Sequence, residues 1–267
     1  LGMGRIDRER YTSKAVLDAE LEHVFGRAWL MACPLAYLKS PGDAYPIKIG
    51  REPIVIVHSD DGEIRAFYNV CRHRGMILVE EKKNFGGVIR CPYHSWCYST
   101  KGALVSTPHV GGPGHNTHDA IVKEDLGLIE VRSHVWRDVV FINMDGQADP
   151  FDVVNADLIA RWHENTAPLY HGGADSTFAL DVTCNWKLAV ENYAESYHLP
   201  WIHPGLNSYS RLEDHYHIEQ SGAFSGQGTL VYRQLTGDGG ATFPDFAGLS
   251  DKWDEGAEYI CLYPNVL

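Results

Sequence analysis

The sequence predicts an α+β chain: a helical N-terminal segment, then a small antiparallel β domain, then a region of mixed helix and sheet. Three observations carry this. Residues 13–29 place Leu17, Leu21, Val24, Phe25 and Ala28 on one helical stripe. Short apolar runs separated by turn residues then follow as far as Asp145-Gly146. Beyond that point helix-forming and strand-forming stretches alternate. The expected boundaries are 1–35 for the N-terminal segment, packing on the last domain, then 36–147 and 148–267.

Ser13 is positioned to cap the first helix. Ile54-Val55-Ile56-Val57 and Ile64-Arg65-Ala66-Phe67 flank Asp60-Asp61-Gly62, which reads as a hairpin. Val88-Ile89-Arg90, Cys97-Tyr98-Ser99, Ala103-Leu104-Val105 and Val139-Val140-Phe141-Ile142 read as further short strands. Residues Thr107 to Ala120 form a loop holding His109, His115 and His118, read as solvated rather than as a metal site. Asp157 to His163 is expected to be a short helix, Leu180 to Thr183 a strand, and Asn185 to Tyr197 a helix. Strands are expected again from Gly222 onward, ending in Tyr259-Ile260-Cys261-Leu262-Tyr263.

The chain has 267 residues, 44% of them apolar and 11% aromatic, which suits one large or two moderate globular domains. No apolar run is long enough to cross a membrane, and Leu1 to Arg10 has no signal-peptide core. Cys33, Cys97, Cys184 and Cys261 are scattered, as expected of reduced thiols in a cytoplasmic protein. A formal charge of −12 argues against a nucleic-acid partner.

Chemistry concentrates in two places. Cys71-Arg72-His73 and Cys91-Pro92-Tyr93-His94 are two Cys-plus-His pairs, each closed within three positions. That donor set suits a Rieske [2Fe–2S] cluster, in which two thiolates hold one iron and two imidazoles the other. Two thiolates, two sulfides and two ferric ions sum to zero, so one added electron brings a single negative charge into the site. Gly75 and Pro92 supply the tight turns such loops need. Zinc is the rival, but zinc fingers set Cys beside Cys and His beside His, whereas here the two alternate. A chance grouping of buried Cys and surface His is the plain alternative.

The second place is the run from Asn185 to Pro204. Glu195 and His198 are three apart and share a face if the segment is helical, and Glu191 extends that face one turn back. Pro200 is expected to end the helix just after His198, leaving His203 on the outgoing turn to swing back. Two imidazoles plus a carboxylate from elsewhere make the facial triad of non-haem Fe(II) oxygenases. Two unrelated histidines at a helix end are the alternative, and the spacing alone favours it; the motif upstream reverses the balance.

Together these motifs resemble the catalytic (alpha) subunit of Rieske non-haem iron oxygenases, over most of the chain. The Cys91-Pro92-Tyr93-His94-Ser95-Trp96 run resembles the oxygenase and ferredoxin branch: Met76 and Tyr93 stand where the respiratory type has its extra cysteines, and Trp96 stands where it has a serine donor. Ser95 departs from the usual Gly or Ala. The resemblance implies a Rieske antiparallel β domain followed by a helix-grip catalytic domain. It implies that Cys71, His73, Cys91 and His94 hold the cluster, that His198 and His203 hold mononuclear Fe(II), and that Glu195 bridges an iron His to a cluster His of a neighbouring subunit in a homotrimer. An ordinary surface carboxylate paired with His198 is the plain reading of Glu195.

The resemblance also implies O2 as co-substrate and electrons from NAD(P)H through a reductase or ferredoxin. The implied outcome is hydroxylation or N-demethylation of a small organic substrate. The family's third iron ligand lies far downstream, and this chain ends apparently inside the catalytic sheet, as a truncated portion would; Glu213 and Asp214 are nearer but do not match its position. A glutamate at 195 leans toward the branch acting on quaternary ammonium compounds, and Tyr193, Tyr197, Trp201 and Tyr209 could offer cation–π surface, although ordinary core is the plainer reading of each one. Aromatic-ring dioxygenation is the competing substrate class. An electron carrier without its own catalysis is the competing function, and it has no use for the segment from Asn185 to Pro204.

Overall fold

The structure is a computed structural model that describes residues 7–173, 176–219, 222–232, 236, 240, 242 and 246–267. The first six residues of the expected N-terminal segment lie outside these. The chain divides into two units: Phe25–Ala148, and Asp149–Leu267 with the described residues up to Val24.

The first unit is built on β1 (Trp29–Pro34), β2 (Asp43–Ile49), β3 (Glu52–His58), β4 (Ile64–Tyr68), β5 (Lys83–Asn84), β6 (Val88–Arg90), β7 (Cys97–Ser99), β8 (Leu104–Ser106), β9 (Glu130–Trp136) and β10 (Val139–Asn143). A seven-stranded antiparallel sheet runs β1-β10-β9-β4-β3-β2-β5, and a three-stranded one runs β6-β7-β8. The unbroken apolar run in β3 has a structural cause: both of its faces are covered. Ile54 and Ile56 pack with Leu30, Val140 and Ile142, while Val55 and Val57 pack with Phe67, Tyr98 and Leu104. The expected hairpin is β3–β4, registered His58 to Ile64, with Gly62 at φ 87° in its turn. At Gly102, φ is 84° and an added Cβ would lie 2.6 Å from Phe67 Cε1, so only glycine lets β7 turn into β8 against that ring.

The second unit contains α1 (Glu9–Thr12), α2 (Lys14–Glu20), α3 (Phe151–Val154), α4 (Ala156–Arg161), α5 (Trp186–Tyr193), α6 (Leu199–Ile202) and α7 (Pro204–Asn207). Its sheet is antiparallel, in the order β11 (His215–Ile218), β12 (Phe224–Thr229), β13 (Ala257–Leu262). The N-terminal helices are tied to α5 by polar contacts: Trp186 Nε1 donates to Glu20 over 2.9 Å, Lys187 pairs with Glu20, and Tyr11 donates its hydroxyl to Glu191. Glu258 on β13 accepts from Arg161, Trp162 and Tyr216, clasping α4 to the sheet.

Several elements differ from expectation. The helix expected over 13–29 stops earlier: α2 gives way to a π-helical turn, Leu21–Phe25, and Trp29–Pro34 is a strand pairing with β10. No residue of α2 is buried, so its apolar stripe is not a core face, and Ser13 sits at the cap without a side-chain cap bond. Leu180–Thr183 is not a strand; Leu180 and Val182 are exposed and find no sheet neighbour among the described residues. The helix expected over Asn185–Tyr197 ends at Tyr193, although Asn185 does cap it by accepting from Lys187 N. Strand β11 was not expected at all.

Candidate redox and metal centres

The two Cys–His loops are built as twin turns. In the loop between β4 and β5, Cys71 N donates to Met76 O and Gly75 N returns to Cys71 O, at 2.8 and 2.9 Å. In the loop between β6 and β7, Cys91 N donates to Trp96 O and Ser95 N returns to Cys91 O, at 2.8 and 3.1 Å. The residue four after each Cys takes the left-handed conformation: Gly75 at φ 70°, Ser95 at φ 58°. The departure at Ser95 therefore falls where a side chain is strained.

These turns bury both cysteines and leave both histidines exposed, so two thiols face inward and two imidazoles reach the surface. The His73 and His94 rings lie 4.8 Å apart, and Trp96, itself buried, stacks on His73 at 4.7 Å and 9°. The Tyr98 hydroxyl accepts from Arg72 N over 3.0 Å, which leaves its own proton for Cys71 Sγ at 3.3 Å. Burial pushes the Tyr98 phenol upward in pKa, which keeps it a donor. Burial likewise raises the Cys91 thiol, so loading a cluster here expels protons. Sequence reasoning missed Tyr98; the available signal was a hydroxyl-bearing aromatic on β7, beginning at the end of the ligand loop.

In the second unit, α5 ends at Tyr193 and Glu195 to His198 form a turn. Glu195 and His198 are therefore not one helical face. Pro200 does not end a helix but opens α6 in its first turn, which a proline tolerates. His203 sits between α6 and α7. Even so the turn brings the candidates together. The His198 and His203 rings are 5.2 Å apart at 75°. Glu195 grips His198 twice, by Oε1 to Nδ1 at 2.5 Å and by Oε2 from the backbone N at 3.3 Å. With Nδ1 engaged, His198 Nε2 is the nitrogen left for a metal. Glu191 does not extend this site, being bonded to Tyr11.

Both histidines line a cavity of about 200 Å³ together with Asn192, Tyr193, Leu199, Leu206, Ser210, His215, Gln227 and Tyr259. Tyr197 and Trp201 are exposed and do not line it; Tyr209 packs its ring on Tyr232. Glu213 and Asp214 are paired with Arg211 instead of entering the site. His109 and His118 accept from backbone N–H groups of their own loop. Among the described residues, no three His, Cys, Asp or Glu side chains surround a single ion. That does not oppose a [2Fe–2S] cluster, whose four ligands are divided between two irons; the residues of the first unit fit it. For one mononuclear iron, the described residues supply two imidazoles and not the third ligand.

Residues 28–123 match the model for the Rieske [2Fe-2S] domain, and residues 170–267 match that for the ring hydroxylating alpha subunit catalytic domain. The chain belongs to the alpha subunits of the Rieske non-haem iron oxygenases. It is 31% identical over 200 residues to the biphenyl 2,3-dioxygenase alpha subunit of Rhodococcus jostii (strain RHA1), covering 73% of this chain and 42% of that protein. It is 30% identical over 210 residues to the carnitine monooxygenase oxygenase subunit of Acinetobacter pittii (strain PHEA-2), covering 78% and 54%. Among solved structures, a quaternary ammonium Rieske monooxygenase described for carnitine oxidation superposes with a TM-score of 0.74 at 28% identity, over 85% of this chain and 60% of that one. Naphthalene 1,2-dioxygenase from Rhodococcus sp. gives 0.67 at 26% identity, over 88% and 54%. The chain thus spans about half the length of the curated relatives it matches. The two family domains imply a Rieske cluster and a mononuclear iron as cofactors. Among the described residues, no helix is long and apolar enough to cross a membrane.

Proposed function

We propose that this chain serves a Rieske oxygenase that inserts oxygen from O2 into a small, polar organic substrate, with a quaternary ammonium compound as the class that fits best. The observation that carries it is the convergence of His198, its Nδ1 held by Glu195, and His203 on one cavity, in a chain that also bears the twin Cys–His turns. A pure electron carrier has no use for that cavity. When bound, the iron would supply O2 activation, and the cluster would supply electrons singly.

The chain's own residues define the rest. Cys71, His73, Cys91 and His94 would hold the cluster, with the imidazoles at the surface where an electron donor can dock. His198 and His203 would hold the iron, and Glu195 fixes the ring orientation and tautomer of His198. As in the family, Glu195 would also reach a cluster histidine of a neighbouring subunit, which makes a ring of subunits, a homotrimer, the working form. A reductase or ferredoxin fed by NAD(P)H is the electron source this requires.

The substrate class rests on the cavity wall. Among the described residues that line it, Leu199 and Leu206 are the aliphatic members; Asn192, Ser210, His215, Gln227 and two tyrosines make up most of the remainder. The polar groups of Ser210, His215 and Gln227 are bonded to one another and to backbone, so what the wall offers a quaternary ammonium group is the faces of Tyr193 and Tyr259. The test is to supply reductant, a suitable reductase and labelled O2 with carnitine or with biphenyl. Label in a product of carnitine supports the reading. Label only in a dihydrodiol of biphenyl assigns the substrate to the aromatic class, and uptake of neither with an intact cluster leaves the carrier reading standing.

A further inference from the structure

A chain of hydrogen-bonded polar groups, Gln227 and Ser210 among them buried, runs from the sheet of the second unit to the turn that bears Glu195. Gln227, on β12 and nearly fully buried, donates its amide to two backbone carbonyls, Tyr193 O at 3.0 Å and Glu195 O at 3.1 Å. Those two bonds settle which way the amide points, so its oxygen must face the other way. There it meets His215 Nδ1 at 2.9 Å, and Nδ1 must be the protonated nitrogen. In the neutral ring Nε2 is then an acceptor, and Ser210, almost fully buried, donates to it over 2.9 Å. The His215 ring lies parallel to that of Tyr259, with centroids 6.4 Å apart.

We infer that Gln227, held in place by His215, is a positioning residue that sets the Glu195 carboxylate against His198. The reason is geometric. Helix α5 ends at Tyr193, so the carbonyls of Tyr193 and Glu195 have no helical partner and need a donor from elsewhere. One side chain satisfies both, and it thereby fixes the backbone from which the Glu195 carboxylate departs. Both ring nitrogens of His215 are committed within this chain of bonds. His215 therefore acts on the cavity through Gln227 rather than as a further metal ligand. The inference rests on the roles of Glu195 and His198 proposed above.

The test follows iron retention and electron delivery together. A ferrous chelator is added to the anaerobic, iron-loaded protein and the release of mononuclear iron is timed, with cluster absorbance as an internal control. Separately, the reduced cluster is exposed once to O2 and its reoxidation is timed. Gln227→Met, close to isosteric, and His215→Phe are each expected to speed iron release about tenfold and to slow reoxidation similarly. His215→Asn, whose amide N–H stands near the place of Nδ1–H, is expected to stay close to the parent. In a Glu195→Gln background, Gln227→Met is expected to add less than about twofold, because its effect passes through Glu195. Parental behaviour of Gln227→Met, or an undiminished effect in the Glu195→Gln background, overturns the inference alone. His215→Asn behaving like His215→Phe overturns the part assigned to His215. If Glu195→Gln is itself silent, the role of Glu195 falls and the inference falls with it.

Discussion

The Tyr98 hydroxyl stands 3.3 Å from Cys71 Sγ, and Arg72 N occupies its oxygen at 3.0 Å, so the phenol is oriented as a donor to that sulfur. A donor to a ligand sulfur stabilises the reduced, more negative cluster more than the oxidised one. Trp96, which stacks on His73, brings no hydroxyl, whereas Tyr98 on β7 offers a side-chain donor to a candidate ligand sulfur. Tyr98→Phe is expected to lower the cluster's midpoint potential by about 50 mV. That corresponds to roughly 1 kcal/mol of differential hydrogen bonding for a one-electron couple. Voltammetry on the purified protein checks it, and an unchanged potential would mean that the bond is equally strong in both redox states.

The twin turns make a second expectation. Gly75 and Ser95 do the same backbone job, yet only one is glycine. An L-residue in this conformation costs roughly 1–2 kcal/mol, partly offset by the freedom a glycine regains on unfolding. Ser95→Gly should therefore stabilise the first unit by about 0.5–1 kcal/mol. Gly75→Ala should destabilise it by about 1 kcal/mol even though the added Cβ meets nothing within 4 Å. Thermal unfolding followed at the cluster absorbance reads both, and opposite signs are required.

How much of this was legible in the sequence differs from one place to another. The candidate cluster ligands are local: each Cys–His pair lies within one turn, so spacing alone groups them. The two-sided burial of β3 was legible in Ile54 to Val57, whose run lacks alternation. The end of α5 was not, because Ala194 and Glu195 favour helix and what holds the exit is Gln227, 32 residues after Glu195. Likewise Ser210, His215 and Tyr259 reach the cavity through β11, β13 and their connections. No local pattern links them to His198. Tyr197 and Trp201 are near the histidines in sequence but face outward, neither core, the plainer expectation, nor cavity wall.

Glu258 offers a pH-dependent expectation. Its side chain is 8% exposed and accepts from Arg161 Nη2 and Nε, at 2.7 and 2.8 Å, as well as from Trp162 Nε1 at 3.0 Å. Burial alone would raise the carboxyl, but these donors outweigh it and hold it below the usual range. A depressed folded-state pKa stabilises the fold above the unfolded glutamate value of about 4.3, and that stability is lost as pH falls through the folded pKa. Glu258→Ala should cost about 3 kcal/mol near neutrality by leaving Arg161 and Trp162 without their acceptor. The deficit relative to the parent should shrink as pH drops below about 4. Denaturant unfolding at both pH values measures it, and a deficit independent of pH would assign the loss to packing instead.

Metal content separates the two centres. If His203 is an iron ligand and not a cluster ligand, His203→Ala should reduce anaerobically loaded protein from about three irons per chain to about two, with about two acid-labile sulfides retained. Cys91→Ser should do the reverse, removing sulfide and the cluster absorbance while sparing the pair His198 and His203. The two sites are built from separate stretches: twin turns between strands for one, and the α5–α6–α7 turns for the other. Loss of sulfide from His203→Ala would contradict that independence. Iron unchanged by the same substitution would remove His203 from the ligand set and leave Glu195 and His198 as an ordinary ion pair on a turn.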